Sequence, residues 1–130
     1  MMRSCLLIAD DDPDQLSEIS EYLNRAGFDV VTANDGFHAL EQMTKHRPRV
    51  IMLDVNMPGW DGVRVADAIR NLDHRAVIIL MTADAGAFQY AQDTECGAVN
   101  VFAKPIELPK LMSFLRPVCG QSEAEPGDAA

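Results

Sequence analysis

Five short apolar runs recur along the chain, and the stretches between them carry apolar residues at helical spacing. Runs that are apolar on both faces are typical of strands in a parallel sheet that helices cover on both sides. The second run alternates more and predicts an amphipathic strand. The predicted strands are Cys5–Ala9, Phe28–Thr32, Val50–Leu53, Val77–Met81 and Val99–Ala103.

The stretches between the strands predict helices with recognisable ends. Asp12 followed by Pro13 is a strong start signal, because aspartate caps a first turn and proline fits its first position. Gly27 is expected to end this helix, since glycine readily adopts the left-handed conformation found after helix ends. The other helices are predicted from about Asp35 to His46, after Asp61 with Val65, Ala68, Ile69 and Leu72 facing inward, from about Ala87 to Cys96, and from near Pro109 with Leu111, Phe114 and Leu115 facing inward.

This alternation predicts an α/β fold of the flavodoxin-like, doubly wound (βα)5 class. Repeated βα units join parallel strands by right-handed crossovers, and five units suit a five-stranded parallel sheet in the order 2-1-3-4-5. We expect one domain over residues 1–118. Residues 119–130 are rich in Glu, Pro, Gly and Ala without apolar periodicity, which predicts a disordered tail or the stub of a linker.

Charge and cysteine usage narrow the class of partner. The chain has 130 residues and a formal net charge of -9, which argues against direct binding of nucleic acid or of an anionic membrane. Cys5, Cys96 and Cys119 are scattered, and an odd count without a signal-peptide pattern favours reduced thiols in the cytoplasm. We therefore expect a cytoplasmic protein that binds a cation or a basic partner, although simple solubility explains the charge equally well.

Polar residues with possible chemistry follow four of the predicted strands. Asp10 and Asp11 end the first strand, Asp54 the third, Thr82 the fourth and Lys104 the fifth. Each alone has an ordinary explanation as a loop acid, a turn residue, a cap or a solvated charge. Because the carboxyl ends of parallel strands share one edge of the sheet, the fold is expected to bring all five together.

Such a cluster favours metal-assisted phosphoryl chemistry. Two carboxylates about 4 Å apart repel by roughly 4 kcal/mol at a dielectric of about 20, and a divalent cation relieves that repulsion. Ligands that are all oxygen favour Mg²⁺. A carboxylate such as Asp54 can attack a phosphoryl group to give an aspartyl phosphate, with Lys104 as a point charge and Thr82 as a hydroxyl donor.

The motifs at these strand ends resemble those of the receiver domain of two-component response regulators. The resemblance rests on their order, spacing and strand-end placement, and it covers nearly the whole chain from Ser4 to Pro117. The matching segments are Leu6–Asp11 (LLIADD), Ile51–Gly62 (IMLDVNMPGWDG), Met81–Ala83 (MTA), Gly97–Ala98 and Lys104–Pro105.

The resemblance implies a metal-dependent phospho-acceptor. Asp54 corresponds to the residue that takes the phosphoryl group. Asp11 and Asp54 correspond to direct Mg²⁺ ligands, and Asp10 to a carboxylate that assists through water. Asn56 corresponds to the residue whose backbone carbonyl binds the metal.

The resemblance also implies which residues contact the phosphoryl group and which class of protein donates it. Thr82 and Lys104 correspond to the contacting hydroxyl and amine, and Lys104–Pro105 to a cis peptide bond. The implied donor is a histidine kinase or a histidine phosphotransfer protein. An unknown downstream protein would bind the face made by the fourth helix, the fifth strand and the fifth helix. The domain would be no enzyme beyond its own phosphorylation and dephosphorylation, and it would be a monomer or a phosphorylation-dependent dimer.

One position departs from the family's pattern. The family usually has an aromatic residue three positions before the lysine, where this chain has Val101. Phe102 is adjacent, but neighbouring residues of a strand point to opposite faces, so we expect Phe102 to pack against a helix. We hypothesise that the signal passes through backbone and helix shifts without a large ring rotation.

Three other functions remain possible from the residues. A phosphatase of the haloacid dehalogenase type would need a second aspartate where this chain has Asn56, and a cap domain for which there is no room. A flavin-binding module would need a phosphate loop after the first strand, where three acids would repel phosphate. A degenerate receiver that acts only as a docking surface would not need the acceptor residues.

Overall fold

The computed structural model describes residues 5–57, 59–84, 86 and 100–119, without the side chains of residues 60, 61 and 63. Five parallel strands form the sheet in the order β2-β1-β3-β6-β7, which confirms the predicted order 2-1-3-4-5 when only these strands are counted. Two further strands, β4 and β5, form a short antiparallel pair that the sequence did not predict. The bounds are Cys5–Ala9 (β1), Asp29–Ala33 (β2), Val50–Asp54 (β3), Asn56–Met57 (β4), Trp60–Asp61 (β5), Val77–Thr82 (β6) and Asn100–Ala103 (β7).

Within the described residues, four helices connect or follow the strands. They are Pro13–Arg25 (α1), Gly36–His46 (α2), Gly62–Leu72 (α3) and Leu108–Val118 (α4). The helix named α4 corresponds to the fifth helix predicted from the sequence, the one that starts near Pro109. The helix predicted over 87–96 lies outside the described residues. Residues 120–130 also lie outside them, and the boundary between domain and tail therefore stays a prediction. None of the helices within the described ranges is long and apolar enough to cross a membrane.

Side-chain hydrogen bonds confirm the predicted starts of α1 and α2. Asp12 caps α1, because its side chain accepts from the backbone amide of Asp14 at 3.0 Å, and Pro13 is the first helical residue. The Asp35 side chain caps α2 in the same way, through the amide of His38 at 2.8 Å. Gly27 lies two residues after α1 with φ 103, in the left-handed region that favours glycine.

Alternating strand residues divide the core into two clusters, one on each face of the sheet. The α2/α3 cluster packs strand residues such as Leu53 and Leu80 against Met43 and Ile69. The α1/α4 cluster packs the opposite strand faces against helix residues: Leu6, Ile8, Val50, Met52, Ile79 and Met81 meet Ile19, Leu23, Leu111, Met112 and Leu115. Helices therefore cover both faces of the sheet, as its doubly apolar strands require.

One inward position was predicted wrongly. Val65 and Ile69 of α3 are fully buried as expected, and Ala68 is half-buried, but Leu72 is 47% exposed. Leu72 is the last residue of α3, and Arg47 lies beside its carbonyl with Nη1 at 3.4 Å. Helical spacing gives the direction of a side chain but not whether the neighbouring layer extends far enough to cover it.

Candidate functional site

Four strands end at the same edge of the sheet and carry the predicted residues there. Asp54 is the last residue of β3 and Thr82 the last of β6, while Asp10 and Lys104 directly follow β1 and β7. The register aligns these ends, since Asp54 pairs with Met81 and Thr82 with Ala103. Distant parts of the sequence therefore meet because of the sheet order, as predicted.

Lys104 holds two buried carboxylates of this cluster. Its Nζ lies 3.0 Å from Asp10 Oδ2 and 3.3 Å from Asp54 Oδ2. Asp10 is fully buried and Asp54 is 6% exposed, so each carboxylate needs a partner for its charge. The peptide bond between Lys104 and Pro105 is cis, as the resemblance implied.

Backbone amides fix the other carboxylate oxygens. The amide of Asp12 donates to Asp10 Oδ1 at 2.9 Å, and that of Asn56 donates to Asp54 Oδ1 at 3.2 Å. Each carboxylate thus has one oxygen oriented by the chain and the other by Lys104, with a lone pair left on each oxygen for a further ligand.

The environment raises the pKa of both Asp54 and Lys104. Burial raises the pKa of Asp54 to about 6, against the opposing effects of the Asn56 amide and the Lys104 charge. Burial alone would lower the pKa of Lys104, but its hydrogen bond to Asp10 and the charge of Asp54 raise it above the usual value. At neutral pH the lysine is charged and Asp54 is ionised.

The acidic cluster fits a divalent cation. Asp10, Asp11 and Asp54 each offer one carboxylate oxygen, and these three oxygens lie within 4.8 Å of one another. Three carboxylates and one ammonium carry a formal charge of minus two, which a divalent cation would neutralise. The donor set is all oxygen, which suits Mg²⁺, and the exposed Asp11 leaves the cluster open to solvent. The predicted role of the Asn56 carbonyl stays a prediction.

Thr82 sits beside the cluster with its oxygen already engaged. The Asp84 amide donates to Thr82 Oγ1 at 3.0 Å, and the Gly86 amide donates to Asp84 Oδ1 at 2.8 Å. The Thr82 hydroxyl in turn donates to the Asp84 carbonyl at 3.5 Å, a long contact that leaves it the weaker of the two hydrogen bonds. The Lys104 amide donates to the Thr82 carbonyl at 2.8 Å, which ties the ends of β6 and β7 together.

Gly62 is a structural part of the site, and no sequence pattern indicated its role. A Cβ at this position would lie 2.6 Å from the Asp54 carbonyl oxygen and 2.7 Å from Val55 Cα. The Gly62 amide also donates to the Val55 carbonyl at 2.9 Å. The start of α3 therefore rests directly on the end of β3. The Asp-Gly pair at a helix start was the available signal, but only the fold shows what it approaches.

Val101 and Phe102 lie on opposite faces of β7, as predicted. Val101 packs against the α2/α3 cluster and Phe102 against the α1/α4 cluster. The rings of Phe102 and Phe114 meet edge-on, with centroids 6.0 Å apart and an interplanar angle of 67°. The prediction that Phe102 packs against a helix is confirmed.

Known proteins are similar to this chain in both sequence and fold. A transcriptional regulatory protein, PrrA of Mycobacterium bovis, is 37% identical over 111 residues, which are 85% of this chain and 48% of that protein. The chain thus spans about half the length of this relative. Sporulation initiation phosphotransferase F of Bacillus subtilis is 32% identical over 116 residues, which are 89% of this chain and 94% of that protein.

Solved structures give the same result. The chemotaxis response regulator CheY4 of Vibrio cholerae has a TM-score of 0.80 at 29% identity, covering 90% of this chain and 99% of that one. Response regulator TrrA of Thermotoga maritima, solved in complex with Mg²⁺ and BeF, has a TM-score of 0.79 at 26% identity, covering 88% and 98%. The family model of the response regulator receiver domain matches residues 6–116. This chain therefore belongs to the receiver-domain family of two-component response regulators.

Proposed function

We propose that Asp54 accepts a phosphoryl group from a phosphohistidine, carried by a histidine kinase or a histidine phosphotransfer protein. The observation that carries this proposal is the contact of Lys104 Nζ with both Asp10 and Asp54 inside a buried carboxylate cluster. A salt bridge that served stability alone would need one carboxylate, whereas a phosphoryl site needs a nucleophile, a metal-binding acid and a cation together.

The transfer itself is a single displacement at phosphorus. An Asp54 carboxylate oxygen attacks the phosphorus, the phosphorus–nitrogen bond breaks, and the imidazole, which carries a proton on its other ring nitrogen, leaves as a neutral ring with the electron pair of that bond. The attack needs the ionised carboxylate, and the pKa of about 6 leaves Asp54 ionised at neutral pH. The Asn56 amide, 3.2 Å from Asp54 Oδ1, keeps the carboxylate in one orientation.

Mg²⁺ is the proposed cofactor, held by Asp10, Asp11 and Asp54 with the Asn56 carbonyl. When bound, it supplies positive charge to the transferring phosphoryl oxygens. The relative from Thermotoga maritima solved with Mg²⁺ and BeF supports this choice by similarity.

Lys104 and Thr82 are the proposed sensors of the phosphoryl group. Lys104 can move its contact from the Asp54 carboxylate to a phosphoryl oxygen, because its ammonium lies 3.3 Å from that carboxylate. The Thr82 hydroxyl can donate its proton to another phosphoryl oxygen. Thr82 is the last residue of β6 and Lys104 directly follows β7. Their movement would therefore shift the equilibrium between two conformations of that side of the domain. We propose that partner binding changes on the face of the last strand and last helix together with the helix predicted over 87–96.

Several broader features belong to the same proposal. Residues 1–118 would form the receiver and 119–130 a tail or linker stub. The domain would work in the cytoplasm as a monomer or a phosphorylation-dependent dimer, with a downstream protein as its target and without binding nucleic acid or membrane itself.

The decisive experiment compares the wild type with Asp54→Asn in acetyl phosphate and Mg²⁺. Intact mass spectrometry should show one added phosphoryl group on the wild type and none on the variant. Asp67→Asn removes an exposed carboxylate from α3 and should accept phosphate like the wild type. Phosphorylation of Asp54→Asn would contradict the assignment. A wild type that accepts nothing would instead favour a degenerate receiver that serves only for docking.

A further inference from the structure

A groove rich in arginine lies at the edge of the sheet opposite the carboxylate cluster. Arg47, Arg49 and Arg75 line it with the exposed Leu72, and it encloses about 810 Å³. Arg49 directly precedes β3, and the loop of Arg75 leads into β6, so the groove follows the amino ends of these strands. Three guanidinium groups at one place stand out in a chain whose formal net charge is -9.

The arginines of the groove have little internal compensation for their charge. All three are exposed, and within residues 5–57, 59–84, 86 and 100–119 no carboxylate lies within 4.0 Å of their guanidinium groups. Arg47 instead donates to the Leu72 carbonyl at 3.4 Å. The groove's acidic residue, Asp73, accepts from the backbone amide of Arg75 at 3.0 Å and thereby shapes the turn.

Arg47 also occupies an unfavourable backbone conformation. Its φ is 49 and its ψ is 54, in the left-handed region, at the position after α2 where glycine is the usual residue. A residue other than glycine is conformationally disfavoured there, because its Cβ approaches the following carbonyl oxygen. This cost supports a role for the side chain beyond ending the helix.

The last described residue, Cys119, lies near one arginine of this groove, and an acidic sequence follows it. Cys119 follows α4 and is half-buried, and it lies close enough to Arg49 that the guanidinium opposes the rise in the Cys119 pKa caused by burial. Residues 120–130 come next and contain Glu123, Glu125 and Asp128 with no lysine or arginine. Four residues span at most about 14 Å, so Glu123 can reach the neighbourhood of Arg49 from Cys119.

We propose that residues 120–130 dock in the arginine groove of their own chain through carboxylate–guanidinium pairs. Exposed ion pairs are individually weak, but tethering gives the segment an effective concentration in the millimolar range. An untethered acidic partner lacks this advantage. The proposal does not depend on phosphoryl transfer, because the groove and the carboxylate cluster lie at opposite edges of the sheet.

The test uses ¹⁵N NMR of the full chain of 130 residues. The heteronuclear NOE of residues 123–128 other than Pro126, which has no amide proton, and the amide shifts of the groove should change together as salt is raised from about 0.02 to about 0.5 M, with the NOE falling by about half or more as the pairs are screened. Arg75→Gln should lower the NOE at low salt. Arg64→Gln removes the same charge from an exposed position on α3 outside the groove and should not.

A second variant leaves the folded part untouched. The triple change Glu123→Gln, Glu125→Gln and Asp128→Asn should move the amide signals of the groove at low salt to their high-salt positions, while circular dichroism stays that of the wild type. Equal effects of Arg75→Gln and Arg64→Gln would overturn the proposal, because net charge alone would then explain the result. An NOE that depends on protein concentration would also overturn it, in favour of a groove filled by a second copy.

Discussion

At the scale of single residues, Lys104 is the counter-charge of the site. Its ammonium contacts Asp10 and Asp54 at 3.0 and 3.3 Å, while Asp11 remains exposed. Asp10 and Asp54 are the buried acids of the described core, together with Thr82 as a buried polar residue. Burial raises the energy of the ionised Asp54 carboxylate, and a bound divalent cation would offset this electrostatic cost.

Removing the Asp54 charge should therefore stabilise the metal-free fold. The native pKa of about 6 exceeds the ordinary value of 3.8, so the native protein binds more protons between these pH values and loses stability as pH rises through that window. In the presence of a chelator at pH 7, Asp54→Asn should raise the free energy of unfolding by about 1–2 kcal/mol, allowing for solvent screening. The gain should vanish below about pH 4.

Urea denaturation at several pH values measures this effect. Asp67→Asn, which removes an exposed carboxylate from α3, should show no comparable dependence on pH. An Asp54→Asn protein that is less stable than the wild type at pH 7 would contradict the assigned direction of the pKa shift.

At the scale of elements, the contact between β3 and α3 sets the position of the acceptor. Gly62 begins α3 and lies against the backbone of Asp54 and Val55. Helical periodicity predicted α3 and apolar runs predicted β3, but neither pattern contains the distance between them. The β4–β5 pair was missed for a related reason, since its strands have two residues each and carry no readable alternation.

Gly62→Ala should cost about 2–3 kcal/mol of unfolding free energy, because the new methyl group would overlap backbone atoms that cannot move independently. Gly59→Ala is the matched control. Its φ of 75 disfavours a side chain, but no atom lies within 4 Å of its Cβ position, so we expect about 1 kcal/mol. Urea denaturation measures both, and acetyl phosphate labelling should slow in the first variant alone. Equal stability of Gly62→Ala and the wild type would show that β3 and α3 separate easily.

The pair Phe102–Phe114 should remain in place when the site is activated. The edge-on packing of these rings predicts a coupling of about 1 kcal/mol in a double-mutant cycle of Phe102→Leu and Phe114→Leu. Structures with and without beryllofluoride should show the same Phe102 rotamer. A Phe102 ring that turns toward Thr82 on activation would refute the hypothesis that the signal passes through the backbone.

At the scale of the whole molecule, the fold class could be predicted from the sequence, but the burial of individual side chains and the contacts within the site could not. Doubly apolar strands, capped helix starts and βα alternation were enough to predict the sheet order and hence the meeting of Asp10, Asp54, Thr82 and Lys104. Leu72 was placed wrongly because its burial depends on where a neighbouring layer ends. The sharing of Lys104 by two carboxylates depends on distances that no sequence pattern contains.

Because the cluster exists only in the folded chain, Mg²⁺ should stabilise the fold as a whole. At a concentration about 100 times its dissociation constant, a ligand that binds only the native state adds about 2.7 kcal/mol. Asp11→Asn should lose most of this gain while keeping the metal-free stability, since Asp11 is exposed. Thermal denaturation with and without Mg²⁺ measures both quantities, and Asp67→Asn should behave as the wild type. An undiminished gain in Asp11→Asn would remove Asp11 from the proposed ligands.

Strand β7 contacts both core clusters, one on each face of the sheet. β7 ends next to Lys104, and its consecutive residues Val101 and Phe102 belong to different layers of the protein. If β7 moved by even a fraction of its pleat, the side chains packed on both faces of the sheet would have to adjust at the same time, because close-packed interiors do not absorb such a shift locally. If phosphorylation of Asp54 displaces β7 as proposed, the change would reach both faces of the sheet, and two different proteins would be able to respond to it without competing for the same surface.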